Sequence, residues 1–240
     1  MQAHLRRYGI LPAGAATSAE AQATDLAWRL LLNRCGATVS GIALDWKKCY
    51  DHVSSVLLGR LADALGMPPG LAKPMLAAYG MTRHVLLKSM LAPAAAPARG
   101  LAAGCPRATD WLAIMSHVLE HELTQAVPGT IARPYVDDLT ADIEHVDDDD
   151  GRELAVDAVS AMVVVVNDYA AAWHLEVNTT ESRRFSTAAP VRQSLTLLPG
   201  WPVAVAFKDL GVVQTTTDRV DAAATRVRDD EAIWRLHKVE

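Results

Sequence analysis

Two adjacent carboxylates, Asp137 and Asp138, lie between short apolar runs, Ile131-Ala132 before them and residues 139–143 after. The pattern reads as two strands with the acids at the bend between them. Neighbouring side chains on a strand point to opposite faces, whereas at a tight turn both can reach one edge. Adjacent carboxylates repel, and a divalent cation is the natural way to hold both ionised. A second strand ending in an acid occurs at Gly41-Ile42-Ala43-Leu44-Asp45, followed by Trp46-Lys47-Lys48-Cys49-Tyr50-Asp51. If the two strands are neighbours, Asp45, Asp137 and Asp138 can hold two Mg²⁺ ions roughly 4 Å apart. That arrangement clamps the attacking and leaving oxygens of an in-line phosphoryl displacement. Each acid alone reads as a surface turn or helix cap; the combination points to chemistry.

The elements that must position these acids follow from periodicity. Residues 18–35 read as a helix, with Ser18 as cap, Leu26, Leu30 and Leu31 at helical spacing and Gly36 behind. Residues 39–44 are a buried strand. Residues 54–65 form a helix with Leu57, Leu58, Leu61 and Leu65 on one face, and 70–79 a shorter one. Residues 83–90 are strand-like, 91–98 a turn or loop rich in Pro and Ala, and 106–125 a long helix. The acidic run 147–150 reads as a solvated loop, and 151–173 as a buried or amphipathic helix. Strands are expected at 175–177, 183–186, 194–198 and 203–207, with Pro199-Gly200 a hairpin turn between the last two, and 210–213 continuing them. Residues 220–236 read as an Arg-rich helix. This order suits an α+β sheet with helices on one face.

Composition sets bounds. The chain has 240 residues, half of them hydrophobic, enough for a sizeable core. No stretch reads as a membrane span or a secretory signal. The cysteines, Cys35, Cys49 and Cys105, have no disulfide or zinc spacing, which fits a reducing compartment. Net charge is −5, but ten of the 28 acids fall within 137–157 against one Arg. The remainder carries 18 acids and 22 Lys or Arg, a balance of +4, so the acidity is local.

The segment from Asp45 to Asp51 resembles motif A of reverse transcriptases, Asp-x-x-x-x-aromatic, with the second acid that non-LTR retrotransposon and group II intron enzymes often carry. Tyr135-Val136-Asp137-Asp138 resembles their motif C, Tyr-x-Asp-Asp. Arg99-Gly100-Leu101-Ala102-Ala103-Gly104-Cys105-Pro106 is similar to motif B. Leu175-Glu176-Val177-Asn178-Thr179-Thr180-Glu181-Ser182 is similar to motif D, and Phe207-Lys208-Asp209-Leu210-Gly211-Val212 to motif E. Tyr8-Gly9-Ile10-Leu11-Pro12-Ala13-Gly14 resembles a fingers segment. Six elements in family order span nearly the whole chain.

The resemblance implies a reverse-transcriptase palm, a ferredoxin-like antiparallel sheet backed by helices, over 39–215, with partial fingers over 1–38 and the start of a thumb helix over 216–240. It implies RNA-directed DNA polymerase activity, two Mg²⁺ or Mn²⁺ ions, an RNA template, a DNA primer and dNTPs, no membrane partner, and a place in a longer retroelement polyprotein. An intracellular site, nuclear or cytoplasmic, goes with a non-LTR element. Asp45, Asp137 and Asp138 would bind the metals, and the Trp46 carbonyl would add an oxygen ligand. Cys49, Tyr50, Gly104 and Arg107 would contact the nucleotide, Tyr50 as the gate that clashes with a ribose 2′-hydroxyl. Arg183 and Arg184 would contact phosphate.

Departures accompany the resemblance. Ala103 stands where the family has Gln, Arg107-Ala108-Thr109 where Leu-Ser-Pro is usual, and Glu181 where a Lys is expected to assist the leaving pyrophosphate. Arg cannot readily donate a proton in its place. The basic fingers strands are expected upstream of residue 1, so residues 1–240 alone are expected to hold a polyanion weakly. Arg219, Arg226, Arg228 and Arg235 would contact phosphate or form a solvated face. These departures leave a decayed palm, serving as a nucleic-acid-binding or interaction module, as the alternative. A minor alternative is a zinc metalloprotease, because His117-Val118-Leu119-Glu120-His121 matches the His-x-x-Glu-His pattern of inverted zincins.

Overall fold

The computed structural model describes Leu26, Leu30 and residues 38–84, 86–88, 90–97, 99–102, 105, 107–209 and 212–216. The fingers-like segment 8–14, Arg219, the Arg-rich helix 220–236 with its three arginines, and Ala103 and Gly104 lie outside the described residues, as does most of the 18–35 helix and of the two flanking domains expected over 1–38 and 216–240.

Fifteen elements follow in order among the described residues: β1 (Thr38–Leu44), α1 (Cys49–His52), α2 (Ser55–Ala64), α3 (Pro69–Gly80), β2 (Leu86–Leu87), β3 (Met90–Leu91), α4 (Ala108–Ala126), β4 (Ile131–Tyr135), β5 (Asp138–His145), α5 (Asp149–Trp173), β6 (Arg183–Ser186), α6 (Ala189–Leu197), β7 (Val203–Ala204), β8 (Ala206–Asp209) and β9 (Val212–Thr215). The fold is α+β: a five-stranded sheet of order β4-β5-β1-β6-β7, antiparallel except for the β6–β7 pair, backed by helices.

β1 is buried along its whole length, which is why its sequence runs apolar with small polar residues rather than alternating cleanly. Ile42 and Leu44 face the helical core with Leu139, Ala141 and Ile143 of β5, covered by α4 and α5. Val39 and Ala43 face the other way, into a smaller cluster with Phe185, Phe207, Leu26 and Leu30. Phe207 stacks on Phe185 with ring centroids 4.6 Å apart, fastening the β8–β9 hairpin to this second face.

Gly41 is paired with Asp142 in the middle of β1. A Cβ there would stand 2.1 Å from the Ala141 carbonyl oxygen and 2.9 Å from the Asp142 Cβ. The missing side chain leaves room for a fully buried Asp142, which pairs with the guanidinium of Arg133 on β4. Breaking one half of such a pair typically costs about 3–5 kcal/mol, because the other charge stays buried.

Several sequence expectations are corrected. The run 147–150 is exposed as expected but a loop only at Asp147 and Asp148, the helix starting at Asp149. The Asp148 side chain caps α5 by accepting from the Gly151 N–H at 2.7 Å, and Asp149 and Asp150 fill the first turn, where acids are stabilised by the helix dipole. Residues 194–198 are not a strand but the end of α6, with Val191 and Leu195 buried one turn apart. Pro199-Gly200 therefore closes a helical crossover rather than a hairpin, and β6 and β7 run parallel. The strand expected at 175–177 shrinks to one bridge, Trp46 to Val177. The 83–90 strand is a short β2–β3 hairpin turning at Lys88, with a separate bridge from Arg83 to Ala95. α5, at 25 residues, is long and apolar enough to cross a membrane, contrary to the sequence reading. Its buried side packs on β1, β5 and α4, as a core helix does.

At the far end of β1, His145 is held between two hydroxyls. Its Nε2 lies 2.8 Å from Ser40 Oγ and its Nδ1 3.1 Å from Thr38 Oγ1, while Ser40 Oγ donates to Ser186 Oγ at 2.7 Å. Burial pushes the imidazole below its usual 6.5, against smaller upward pulls from the Val146 carbonyl, Asp147 and Asp148.

Two outcomes are expected. Gly41→Ala should lower the stability by about 3 kcal/mol or more, since the new methyl meets backbone it cannot displace; a urea midpoint equal to wild type would sink this account of the Asp142 pocket. Because the folded state disfavours protonated His145, stability should fall as pH drops from 6.5 through the lowered folded value. His145→Gln should flatten that acid limb in thermal melts across pH 4–7, and an unchanged limb would remove His145 as its cause.

Candidate functional site

The β4–β5 register pairs Tyr135 with Asp138, so Val136 and Asp137 alone form the hairpin loop. Val136 has φ 56°, a left-handed conformation that a β-branched residue adopts only under constraint, at a cost of roughly 1–3 kcal/mol. The constraint is visible: Ser116 Oγ on α4 donates to the Val136 carbonyl at 2.8 Å. Two other non-glycine residues with positive φ flank the same place, Lys48 at 48° just beyond Asp45 and His174 at 56° at the end of α5. Backbone strain of this kind gathers where geometry serves function.

Asp45 is one residue past β1. Extending the register by one step sets it opposite Asp138, on the sheet face away from the helical core. Asp137 feels the charge of Asp45. Burial pushes the Asp137 carboxyl up, its own backbone N–H pulls it down, and the charge on Asp45 pushes it up again. Both acids also raise the Cys49 thiol, to about 12, after burial as the larger cause.

Asp45 is clamped from the other side by the loop after α5. Asn178 Nδ2 donates to Asp45 Oδ2 at 2.6 Å, and the Asn178 N–H donates to the Asp45 carbonyl at 2.9 Å. The Asp45 N–H donates to Ser182 Oγ at 3.1 Å, and the Lys47 N–H donates to the Glu176 carbonyl at 2.8 Å. These bridge bonds do not use the Trp46 carbonyl, the oxygen expected to face a metal. The Trp46 ring is buried on Tyr169, 6.2 Å between centroids, and Tyr169 stacks on Trp173 at 5.5 Å. The end of α5 thus seats the residue next to Asp45.

The expected nucleotide contacts divide. Tyr50 is half-buried beside Asp137, which, after burial, pushes its hydroxyl up. Residues 99–102 lie directly against it: the Leu101 N–H donates to the Tyr50 carbonyl at 2.7 Å, and the Gly100 N–H to the Val53 carbonyl at 2.8 Å. Gly100 has φ 97°, and a Cβ there would stand 3.2 Å from the Tyr50 and Asp51 carbonyl oxygens. Cys49, by contrast, is buried with Trp46 and Tyr169 around a small apolar cavity behind Val136, so its thiol belongs to the core rather than to a nucleotide. Arg107 is half-exposed and donates to Asp110 at 3.1 Å. Gly104 lies outside the described residues.

Arg184 is corrected. Its guanidinium is buried and donates to the carbonyls of Trp201 (2.7 Å), Leu198 (3.1 Å) and Pro199 (3.3 Å), so it stitches the α6–β7 connection instead of meeting phosphate. Arg183, half-buried opposite Ala43, donates to the Ser182 carbonyl. The zincin-like pattern also resolves. His117 Nδ1 and Glu120 Oε2 are 2.6 Å apart, spent on each other.

Among the described residues, no three His, Cys, Asp or Glu side chains converge on one metal-sized space. Asp45 lies near enough to Asp137 to raise its carboxyl, and the Asp45 carboxylate accepts from Asn178. Asn178, Thr180 and Ser182 were missed as functional residues, although a polar run with three hydroxyls beside an amide, right after a helix end, is itself a signal for a loop that hydrogen-bonds a neighbour.

No family model matches the sequence, and no curated protein does. Solved structures do. Telomerase from Candida tropicalis in complex with the TWJ fragment of telomeric RNA is 14% identical with a TM-score of 0.52, covering 72% of this chain and 30% of that one. Telomerase from Candida albicans with the same type of RNA fragment is 13% identical, TM-score 0.46, covering 83% and 33%. Apo telomerase from Candida tropicalis, truncated from its C-terminal domain, is 14% identical, TM-score 0.43, covering 83% and 40%. The chain thus spans 30 to 40% of the length of these structures. The first likeness shows the fold: a mostly antiparallel sheet backed by helices, compatible with a reverse-transcriptase-like palm.

Proposed function

We propose that this chain is the palm of an RNA-directed DNA polymerase of non-LTR-retroelement type, joining a dNTP to a primer 3′-hydroxyl with loss of pyrophosphate. The observation that carries it is the pairing of Asp45 with Asp137, at the end of β1 and in the strained β4–β5 turn, with Tyr50 beside them. The telomerase-like fold and the six ordered sequence segments support the same reading. RNA template, DNA primer and dNTPs are the partners it requires.

The donor chemistry fits a hard cation. An Asp137 carboxylate whose ionisation is made costly by burial and by the charge on Asp45 gains from a shared positive charge. Asp45 and Asp137, with Asp138 and the Trp46 carbonyl, would hold Mg²⁺ or Mn²⁺. Bound there, the ions would acidify the primer hydroxyl and stabilise the departing charge. The chain's own residues do the rest. Asp45 and Asp137 supply negative charge on rigid supports. Tyr50, backed by residues 99–102, sets the space beside the sugar. Arg107 and Arg183, each one residue past a matched segment, are the cations for phosphate. Glu181, where a Lys would be expected, leaves no proton donor at that step.

A second reading, a catalytically decayed palm that binds nucleic acid or a partner, is favoured by the turning of Asp45 onto Asn178 rather than toward a ready-made trio.

The readings part in a primer-extension assay on an RNA template, in Mg²⁺ or Mn²⁺, with chain and template raised until the weakly held template is bound. The polymerase reading expects metal-dependent extension that prefers dNTPs, reduced to background by Asp137→Asn, and a loss of sugar discrimination in Tyr50→Ala. Template binding without extension in either metal, unchanged by Asp137→Asn, would establish the decayed palm instead. A stability experiment runs alongside. The folded state favours protonated Asp137, so its ionisation destabilises the fold increasingly as pH rises from the ordinary 3.8 through the raised folded value. Asp137→Asn should therefore raise the thermal midpoint at pH 7 and give no gain below that range. A midpoint lowered at pH 7 would show that the turn needs the charge.

A further inference from the structure

Asn178 lies on the loop between α5 and β6, and the loop is already tied to the Asp45 segment by main-chain bonds. The Asn178 N–H donates to the Asp45 carbonyl, the Lys47 N–H donates to the Glu176 carbonyl, and the buried Ser182 hydroxyl accepts from the Asp45 N–H. Lys47 and Glu176 add an exposed ion pair at 2.5 Å, which sets register more than it stabilises. The Asn178 side chain adds nothing this backbone needs. It is spent on the carboxylate: Nδ2 lies 2.6 Å from Asp45 Oδ2.

The orientation of that amide is fixed at both ends. A carboxylate only accepts, so the group facing it must be the NH₂. Thr180 Oγ1 lies 2.7 Å from Asn178 Oδ1 and donates to it, which holds the amide the same way round. Thr180 itself is exposed, so its hydroxyl is available for this bond without serving the core. Among the described residues no other side-chain donor is seen on the Asp45 carboxylate, and Asn178 engages one of its two oxygens. A neutral donor restrains the carboxylate's rotation without cancelling its charge.

We propose that Asn178, oriented by Thr180, is a positioning residue for Asp45: it fixes the rotation of the carboxylate through Oδ2 and leaves Oδ1 to a divalent cation. This rests on the polymerase reading, since it assigns Asp45 to a metal. Groups that orient a ligand in this way typically change metal affinity or activity 10–100-fold when removed. The bond from Asn178 restrains the Asp45 carboxylate's rotation, which lowers the entropic cost of binding a cation there.

The test is Mn²⁺ binding to the full chain, followed by the electron-paramagnetic signal of the free and bound ion, for wild type and four variants. Asn178→Ala should weaken Mn²⁺ binding about 10-fold. Thr180→Val, which removes only the exposed hydroxyl, should weaken it in the same direction with an unchanged thermal midpoint, and Thr180→Ser should restore it. Asp137→Asn should reduce binding at least as far, tying the signal to this site. Wild-type binding with an unaltered affinity in both Asn178→Ala and Thr180→Val would overturn the positioning role and leave the polymerase reading standing. A wild-type chain that binds no Mn²⁺ would overturn both. Should Asn178→Ala unfold, the Thr180→Val and Thr180→Ser pair decides alone: equal affinities overturn the proposal, and loss with rescue supports it.

Discussion

β1 is buried on both faces, and the positions of the residues that bear on the site follow from where it ends. A strand covered on both sides cannot slip by one residue without exchanging its two sets of side chains, Ile42 and Leu44 against Val39 and Ala43. Its register with β5 is therefore tightly specified, and so is the position of Asp45 one step beyond it, across from the β4–β5 turn. Gly41 makes this strand possible, because only a residue without a Cβ lets β5 carry Asp142 against it. The buried Arg133–Asp142 pair is then a register mark. Shifting either strand would strand a charge in the second core at a cost of several kcal/mol.

The same rigidity lets the turn at Val136-Asp137 hold an unfavourable arrangement. A valine in the left-handed region and an Asp137 carboxyl pushed up by burial and by the charge on Asp45 would relax if the backbone could move. They cannot relax because Ser116 fixes the Val136 carbonyl from α4, while the Asn178 loop and the aromatic seat of Trp46 fix Asp45 from α5. Local strain and like-charge crowding, offset by a well-packed surround, are compatible with the proposed cation site.

Much of this was legible in the sequence, and the misses have physical reasons. β1, the β4–β5 hairpin and the long helices α2, α4 and α5 show in their periodicity, because each buries a clear face against one partner layer. α6 does not show. Its Ser-Leu-Thr-Leu stretch alternates like a strand, and only Val191 and Leu195, one turn apart and buried, reveal a helix. The Asp147–Asp150 run was unreadable as a helix start on charge alone, since dense like charge suggests a loop until capping and the helix dipole are counted. At the site, Asp45 and Asp137 were singled out by residue type and spacing, and Tyr50 through the family resemblance. Arg184 was misassigned because a basic residue just past a matched segment looks available for phosphate, whereas its three carbonyl partners arise from a crossover the sequence did not disclose. Asn178 was overlooked beside Glu181 because a neutral amide carries no obvious chemistry until its partner is known.

The placement of charge bears on how such a palm would meet a polyanion. Four of the chain's acids, Asp147 to Asp150, gather at the start of α5, where Asp148 caps the helix and Arg152 reaches back to Asp147 and Asp149. They sit beyond the His145 end of β5, whereas the candidate site lies at its Asp138 end, an eight-residue strand away. At about 3.4 Å per residue that separation is more than two Debye lengths at physiological salt, so this acidity is screened from the site. The negative charge that a nucleic acid or nucleotide would feel is that of Asp45, Asp137 and Asp138 themselves. Neutralising those three locally, rather than changing the net charge of the whole chain, is the electrostatic condition for binding there.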